Sequence, residues 1–301
     1  MDTLSSSLMP FRLMGIVNVT PDSFSDGGRF LHVDAAVAHG LALAADGAQI
    51  LDIGGESTRP GAEPVAVEEE LRRVLPVIEG ITASLSEHGS AAERPQISVD
   101  TSKAAVAAAA LSAGASLVND VSALRADPEM AAVVAEGGAG CCLMHMHGEP
   151  RTMQDDPRYE DVVADVSAFL EERLAFAENA GVARERIMLD PGIGFGKTAA
   201  HNLELLLRLD ELCELGAPIL IGTSRKAFLG GIIARARGRE DPVAAGERLA
   251  GTIATNVLAY ERGASVFRVH DVAPVRDALA VAAATLGGRW TARSPGRTRT
   301  S

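Results

Sequence analysis

Eight short apolar runs recur along the chain, and each ends on a polar or charged residue. Between several of these runs, apolar residues follow helical spacing, in segments 33–46, 65–84, 160–180, 202–215 and 271–286. Strands that alternate with helices predict βαβ units and a parallel sheet. The runs are RLMGIVN (12–18), QILDIGGE (49–56), QISVD (96–100), SLVND (116–120), GCCLMH (140–145), RIMLD (186–190), PILIGTS (218–224) and SVFRVH (265–270).

Eight such units in about 250 residues fit a single (β/α)8 barrel, the TIM-barrel architecture. Turn-forming residues after the first and second runs predict long loops there. We expect an N-terminal extension at 1–11, the barrel at 12–286 and a basic, disordered tail at 287–301. Because the chemistry of this fold lies at the C-terminal ends of the strands, the polar run ends are candidate site residues.

Charge and composition exclude several classes of function. The formal net charge of −12 argues against nucleic acid or an anionic membrane as a partner, although residues 287–301 carry four arginines and no acid. No apolar stretch reaches the roughly 18 residues that span a bilayer, and we expect no signal peptide. The cysteines Cys141, Cys142 and Cys213 form neither a disulfide framework nor a zinc motif. A reducing, cytoplasmic location is therefore expected.

Several loops at the predicted strand ends carry distinctive motifs. They are NVTPDSFSDGGRF (18–30), GGESTRPGA (54–62), LDPGIGFGKT (189–198), GTSRKAFLG (222–230) and FRVHD (267–271). Each is weak alone, but together and in this order they resemble dihydropteroate synthase over roughly residues 11–286. The resemblance implies a transferase of folate biosynthesis that condenses 6-hydroxymethyl-7,8-dihydropterin pyrophosphate with 4-aminobenzoate. It also implies a homodimer and a sulfonamide target.

The resemblance implies a pterin site with both polar and apolar contacts. A carboxylate, Asp190, accepts two neighbouring N–H groups in parallel, and Asn119 can donate and accept beside it. Asp100, Lys226 and Arg268 are expected to be catalytic as well as pterin-binding. A helix N-cap is the alternative role for Asp100. The full set is Asp100, Asn119, Met144, Asp190, Phe195, Lys226 and Arg268.

Two further subsites follow from the same resemblance. The pyrophosphate is expected to contact Asn18, Thr58, Arg59, Arg268 and His270. Asn18 would also give one oxygen to a Mg²⁺ ion that otherwise keeps water and phosphate ligands. The aminobenzoate is expected to contact Phe24, Thr58, Pro60, Phe195, Ser224 and Arg225. Free backbone N–H groups at the start of the helix after strand seven would hold its carboxylate.

Other interpretations have weaker support. GIGFGKT lacks the first glycine of a phosphate-binding loop, where Pro191 stands, so Lys197 is expected to be solvated near the barrel mouth. His145 and His147 have the spacing of a metal-dependent hydrolase, but the remaining histidines are expected in helices or loops away from strand ends, apart from His270. A non-catalytic pterin-binding paralogue and a pterin-dependent methyltransferase domain remain as alternatives.

Overall fold

Eight parallel strands form one sheet in the described part of the chain, which comprises residues 10–20, 29–57, 63–87, 94–148 and 152–287 of a computed structural model. Their order is β6-β5-β4-β3-β2-β1-β8-β7. A single bridge between Leu189 and Ile219 joins the two ends, so the sheet closes as a barrel. The strands are Arg12–Asn18 (β1), Ile50–Gly54 (β2), Gln96–Asp100 (β3), Leu117–Asp120 (β4), Gly140–Met144 (β5), Ile187–Asp190 (β6), Leu220–Ile221 (β7) and Val266–Val269 (β8).

Helices alternate with the strands and surround the barrel, which confirms the predicted fold. The predicted helix 202–215 is broken at Arg208, whose backbone leaves the helical region (φ −107°, ψ 30°). No helix among the described residues is long and apolar enough to cross a membrane. The helices are Arg29–Ala45 (α1), Val67–Glu87 (α2), Ala104–Ser112 (α3), Met130–Glu136 (α4), Val162–Asn179 (α5), Ala199–Leu207 (α6), Leu209–Cys213 (α7), Ala227–Ala236 (α8), Leu249–Glu261 (α9) and Val272–Gly287 (α10).

The core has two parts, one between strands and helices and one inside the barrel. Adjacent residues of a strand supply different parts because their side chains alternate in direction. Cys141 belongs to the outer core and Cys142 to the interior, and both are free thiols. The interior layer consists of Met14, Ile50, Leu117, Cys142, Met188, Leu220 and Val266. This apolar layer is the floor on which the polar residues of the barrel lie.

Candidate active site

The polar side chains of the sheet lie inside the barrel, above the apolar floor. In five strands the polar or site residue follows a floor residue by two positions, so both point to the interior. These pairs are Ile50 and Asp52, Leu117 and Asn119, Cys142 and Met144, Met188 and Asp190, and Val266 and Arg268. The fold therefore brings the predicted residues from four separate strands into one layer.

Arg268 is the centre of this layer. Its Nε donates to Asp52 Oδ2 at 2.6 Å, and its Nη2 donates to Asp100 Oδ2 at 2.7 Å. Burial alone would lower the pKa of Arg268, but the two carboxylates more than offset that effect and raise it. The guanidinium is therefore a permanent cation. It retains three N–H donors beyond these two bonds.

Asp52 is a site residue that the sequence prediction missed. It is fully buried and accepts from three side chains: Arg268, Ser98 Oγ at 2.6 Å and Asn119 Nδ2 at 3.0 Å. Buried charges are normally paired and hydrogen-bonded, as here. The prediction considered strand ends, whereas Asp52 lies in the middle of β2. A carboxylate at an interior position of an apolar strand is the signal that would have identified it.

Asp100 faces the barrel interior and does not cap the following helix. The first amide of α3, at Ala104, instead donates to Asp127 Oδ2 at 2.9 Å. Burial raises the pKa of Asp100 to about 7; Arg268 opposes this rise, and the nearby carboxylates, Asp52 foremost, add to it. Asp100 therefore gains its negative charge near neutral pH.

Asn119 and Met144 present different surfaces to the same space. The amide nitrogen of Asn119 is held by Asp52, which leaves the carboxamide oxygen to accept a further hydrogen bond. Met144 is 3% exposed and belongs to a small cluster with Met146 and Met153, against which Phe195 packs. Together these residues form one polar and one apolar wall.

Asp190, Lys226 and Phe195 complete the layer. Asp190 Oδ1 accepts from the Gly192 amide at 2.7 Å, and burial raises the pKa of this carboxyl group. The Lys226 ammonium lies 4.0 Å from the centre of the Phe195 ring, a cation–π distance. Burial lowers the pKa of Lys226 to about 8, with Asp190 opposing the shift.

Ser224 and His270 are joined across the C-terminal ends of β7 and β8. Ser224 Oγ lies 2.9 Å from His270 Nδ1 and also accepts from the His270 amide at 3.2 Å. The two residues therefore hold each other in place. Ser224 is 7% exposed, whereas His270 is half-buried at the edge of the site.

The backbone N–H groups at the start of α8 were expected to be free to bind a carboxylate. Two of them already donate hydrogen bonds within the protein, so the prediction is wrong for these two. The Arg225 amide donates to Thr252 Oγ1 at 3.0 Å, and the Lys226 amide donates to the Thr223 carbonyl at 3.1 Å. The Arg225 guanidinium is paired with Asp271 through bonds of 3.0 and 2.6 Å. The polar side chains at this position are Ser224, which contacts His270, and Arg225, whose guanidinium keeps N–H donors beyond its two bonds to Asp271.

Asn18 ends β1 and is half-buried. Its carboxamide offers one neutral oxygen, which suits a Mg²⁺ ion completed by water and phosphate oxygens. Among the described residues, no group of three or more His, Cys, Asp or Glu side chains could hold a metal by itself. Four predicted contacts, Phe24, Thr58, Arg59 and Pro60, lie outside the described residues.

Lys197 is buried, which contradicts the prediction that it is solvated. It is 3% exposed, and its Nζ lies 2.8 Å from His145 Nδ1. The turn 192–196 folds back against the residues that follow β5, which covers the lysine. His201 lies in α6, as predicted, and its ring contacts Tyr159 at 5.0 Å between ring centres. The ring of His147 contacts the same tyrosine at 5.6 Å.

The layer has a defined chemical preference. Two carboxylates and a carboxamide oxygen can accept from a flat heterocycle rich in N–H donors, while Met144 and Phe195 cover its faces. A permanent guanidinium at the centre of the layer and a histidine at its edge offer N–H donors to an anionic substituent of that heterocycle.

Comparison with known proteins agrees with this preference. The family model described as "Pterin binding enzyme" matches residues 14–270. Dihydropteroate synthase of Escherichia coli K12 is 45% identical over 277 residues, which cover 92% of each chain. The Xanthomonas albilineans enzyme with 4-aminobenzoic acid is 52% identical, with a TM-score of 0.81 and coverage of 91% of this chain and 93% of that one. The structure of the same enzyme in complex with 7,8-dihydropteroate is 48% identical to this chain, with a TM-score of 0.78 and the same coverage.

The fold and the site are thus those of a pterin-binding enzyme. Within this class, the similarity spans nearly the whole length of both chains. The chain belongs to the dihydropteroate synthase family, which is a family of transferases.

Proposed function

We propose that this chain condenses 6-hydroxymethyl-7,8-dihydropterin pyrophosphate with 4-aminobenzoate, giving 7,8-dihydropteroate and pyrophosphate in folate biosynthesis. The observation that carries the proposal is the interior layer, in which Asp190, Asn119 and Lys226 surround the space beside the Arg268 cation. Such a set matches a pterin bearing an anionic leaving group.

The pterin ring would bind by its hydrogen-bonding edge. Asp190 would accept two ring N–H groups, and Asn119 would accept a third through the oxygen that Asp52 leaves available. Lys226 would donate from the opposite side. Met144 and Phe195 would enclose the ring faces, since the Phe195 ring already packs on the methionine cluster.

The leaving group would lie between Arg268 at the centre of the layer and His270 at its edge. Arg268 has donors to spare, and His270 adds a further hydrogen bond. Asn18 would hold the Mg²⁺ ion together with water and the pyrophosphate, and Thr58 and Arg59 would complete this subsite. When bound, the ion neutralises charge on the departing pyrophosphate.

Asp100 and Arg268 would stabilise opposite charges that develop during a dissociative substitution. As the bond between the methylene carbon and the pyrophosphate oxygen breaks, positive charge develops on the pterin and negative charge on the leaving group. Asp100 faces the pterin and would stabilise the first, while Arg268 would stabilise the second. Lys226 would keep its hydrogen bond to the pterin through the step. The aniline nitrogen would then attack the methylene carbon and lose a proton to solvent, and pyrophosphate would be released.

The aminobenzoate would enter beside β7. Its carboxylate would meet the Ser224 hydroxyl and the Arg225 guanidinium, which keeps N–H donors beyond its two bonds to Asp271. The amides of Arg225 and Lys226 are engaged within the protein. Phe195 would contact its ring, and Phe24, Thr58 and Pro60 would complete the pocket. A sulfonamide, which mimics the aminobenzoate, would compete at this position.

The pH dependence of kcat/KM should follow the ionisation of two groups with opposite charges, the Asp100 carboxylate and the Lys226 ammonium. Asp100, with a pKa of about 7, gains its negative charge as pH rises through that value. Lys226, with a pKa of about 8, loses its positive charge as pH rises further. We therefore expect a narrow bell in kcat/KM for the pterin substrate. In Asp100→Asn the residual activity should lose the acidic limb, and an unchanged acidic limb in that variant would contradict this assignment.

A homodimer is proposed from the outer surface of the barrel. Exposed apolar side chains lie on three helices that pack side by side: Leu203 and Leu207 on α6, Ile232 on α8 and Leu258 on α9. Burying them against a second copy would remove apolar area from water. Sedimentation velocity would measure the resulting mass.

For the location we propose the cytoplasm, where the three free thiols stay reduced.

Ordered binding tests the proposed function. Isothermal titration with the pterin pyrophosphate and Mg²⁺ should show binding to the free protein, and aminobenzoate should bind only after it. A methyltransferase domain would bind the pterin but would not bind aminobenzoate afterwards. A non-catalytic paralogue would show pterin binding without turnover. Either result would contradict the proposal.

A further inference from the structure

Three side chains hold the backbone of the turn that carries Phe195. Gln154 Nε2 donates to the Gly194 carbonyl at 2.7 Å, Lys197 Nζ to the Phe195 carbonyl at 3.0 Å, and Tyr159 Oη to the Gly196 carbonyl at 2.8 Å. The turn is tight, because the glycines on both sides of Phe195 have positive φ angles of 82° and 61°. The position of the Phe195 ring is therefore set by backbone contacts as well as by packing.

Lys197 differs from the other two donors because it also reaches the end of β5. Its Nζ lies 2.8 Å from His145 Nδ1 and 3.4 Å from the His145 carbonyl. Burial lowers the pKa of His145 to about 2, with Lys197 adding to the effect, so the imidazole is neutral and Nδ1 can accept. The His145 amide in turn donates to the Asp190 carbonyl at 2.9 Å. Lys197 thus connects Phe195 to the strand ends that carry the pterin-binding residues.

A buried lysine needs a reason, since removing its charge from water is costly. Burial lowers the pKa of Lys197 to about 7, with Asp190 opposing the shift. No step of the proposed reaction uses this side chain, and its ammonium makes no direct bond to Asp100, Asp190 or Arg268. Its contacts are instead with His145, the Phe195 carbonyl and the Tyr159 ring, whose centre is 6.0 Å from Nζ.

We propose that Lys197 is a positioning residue that sets the orientation of the Phe195 ring by fixing the Phe195 carbonyl to His145. That ring lies between the Lys226 ammonium, 4.0 Å from its centre, and the methionine cluster of Met144. A shift of the Phe195 backbone would move the ring away from both. The inference rests on the proposed role of Phe195 in contacting the bound rings.

A double-mutant cycle between Lys197 and Phe195 tests this role. Phe195→Ala and Lys197→Met should each lower kcat/KM for the pterin pyrophosphate by roughly ten- to 100-fold, as expected for misplaced binding groups. Because Lys197 acts through Phe195, the double variant should be no worse than Phe195→Ala alone. The proposal would be overturned if the loss of kcat/KM in the double variant equalled the product of the losses in the two single variants, or if Lys197→Met were fully active.

Control variants separate positioning from a general loss of order. Tyr159→Phe removes one donor to the neighbouring Gly196 carbonyl at a matched distance, and it should change kcat/KM by less than about threefold. An equal loss in Tyr159→Phe and Lys197→Met would overturn a specific role for the lysine. If Lys197→Met does not fold, Lys197→Leu, which also lacks a hydrogen-bond donor, enters the same cycle, with the same expected and contradicting results.

The same experiment distinguishes this inference from the proposed function. Wild-type protein that forms no dihydropteroate would contradict the proposed function itself. Active wild-type protein with unchanged kinetics in Phe195→Ala would remove the role of Phe195 and with it the role of Lys197. Multiplicative losses in an active enzyme would overturn the role of Lys197 alone.

Discussion

Replacing Arg268 by alanine should produce the largest loss of activity, because this guanidinium serves both the site and the fold. It would remove the cation that stabilises the departing pyrophosphate, and we expect kcat to fall by about 10²- to 10³-fold. It would also leave Asp52 and Asp100 facing each other without their shared partner. The side chain is 23% exposed, so we discount the full cost of breaking a buried pair and expect a loss of about 2 kcal/mol in the free energy of unfolding.

The measurement combines steady-state kinetics with denaturant unfolding of the same preparations. Arg268→Lys keeps the charge but loses the planar fork, so it should recover part of the stability and little of the turnover. Arg237→Ala is the matched control, since Arg237 pairs with Glu247 on the surface and follows the C-terminal end of α8, whereas Lys226 precedes its N-terminal end. Wild-type turnover in Arg268→Ala would contradict the role given to this residue.

The Asp190→Asn variant should lose affinity for the pterin far more than it loses turnover. One of the two charge-assisted bonds would become a weaker bond or a repulsive contact, and KM for the pterin substrate should rise by about ten- to 100-fold. The turn after β6 should survive, because an asparagine oxygen can still accept from the Gly192 amide, which now donates to Asp190 Oδ1 at 2.7 Å.

Direct titration of the pterin substrate onto the variant would separate binding from turnover. Asp210→Asn on the exposed side of α7 changes the net charge equally and should leave both quantities unchanged. A fall in kcat with unaltered pterin affinity in Asp190→Asn would assign this carboxylate to the chemical step instead.

The fold was predictable because each of its strands is marked by a short apolar run in the sequence, and this pattern repeats eight times. Every predicted strand is present, since each run is apolar and bounded by turn residues, and the order of runs and helical segments allows few topologies. The break of the predicted helix 202–215 was not visible. It lies at Arg208, whose guanidinium binds Asp161, a contact between residues 47 positions apart in the chain.

The site was predictable where a functional side chain ends a strand, as for Asn119 and Asp190. It was missed where the residue lies inside a strand, as for Asp52, because the prediction considered only the polar residues at which the apolar runs end. Lys197 was wrongly predicted to be solvated since its burial results from the return of the turn 192–196 onto the end of β5. The engagement of the Arg225 amide likewise depends on Thr252 from α9, a contact that local sequence does not encode.

The central claim is that this layer couples pyrophosphate departure to attack by an arylamine. The most direct test is pyrophosphate release by the purified protein, supplied with the dihydropterin pyrophosphate and Mg²⁺, with and without 4-aminobenzoate. We predict release that depends on aminobenzoate, matches dihydropteroate formation and is suppressed by a sulfonamide. Tight pterin binding with no release under these conditions would contradict the claim.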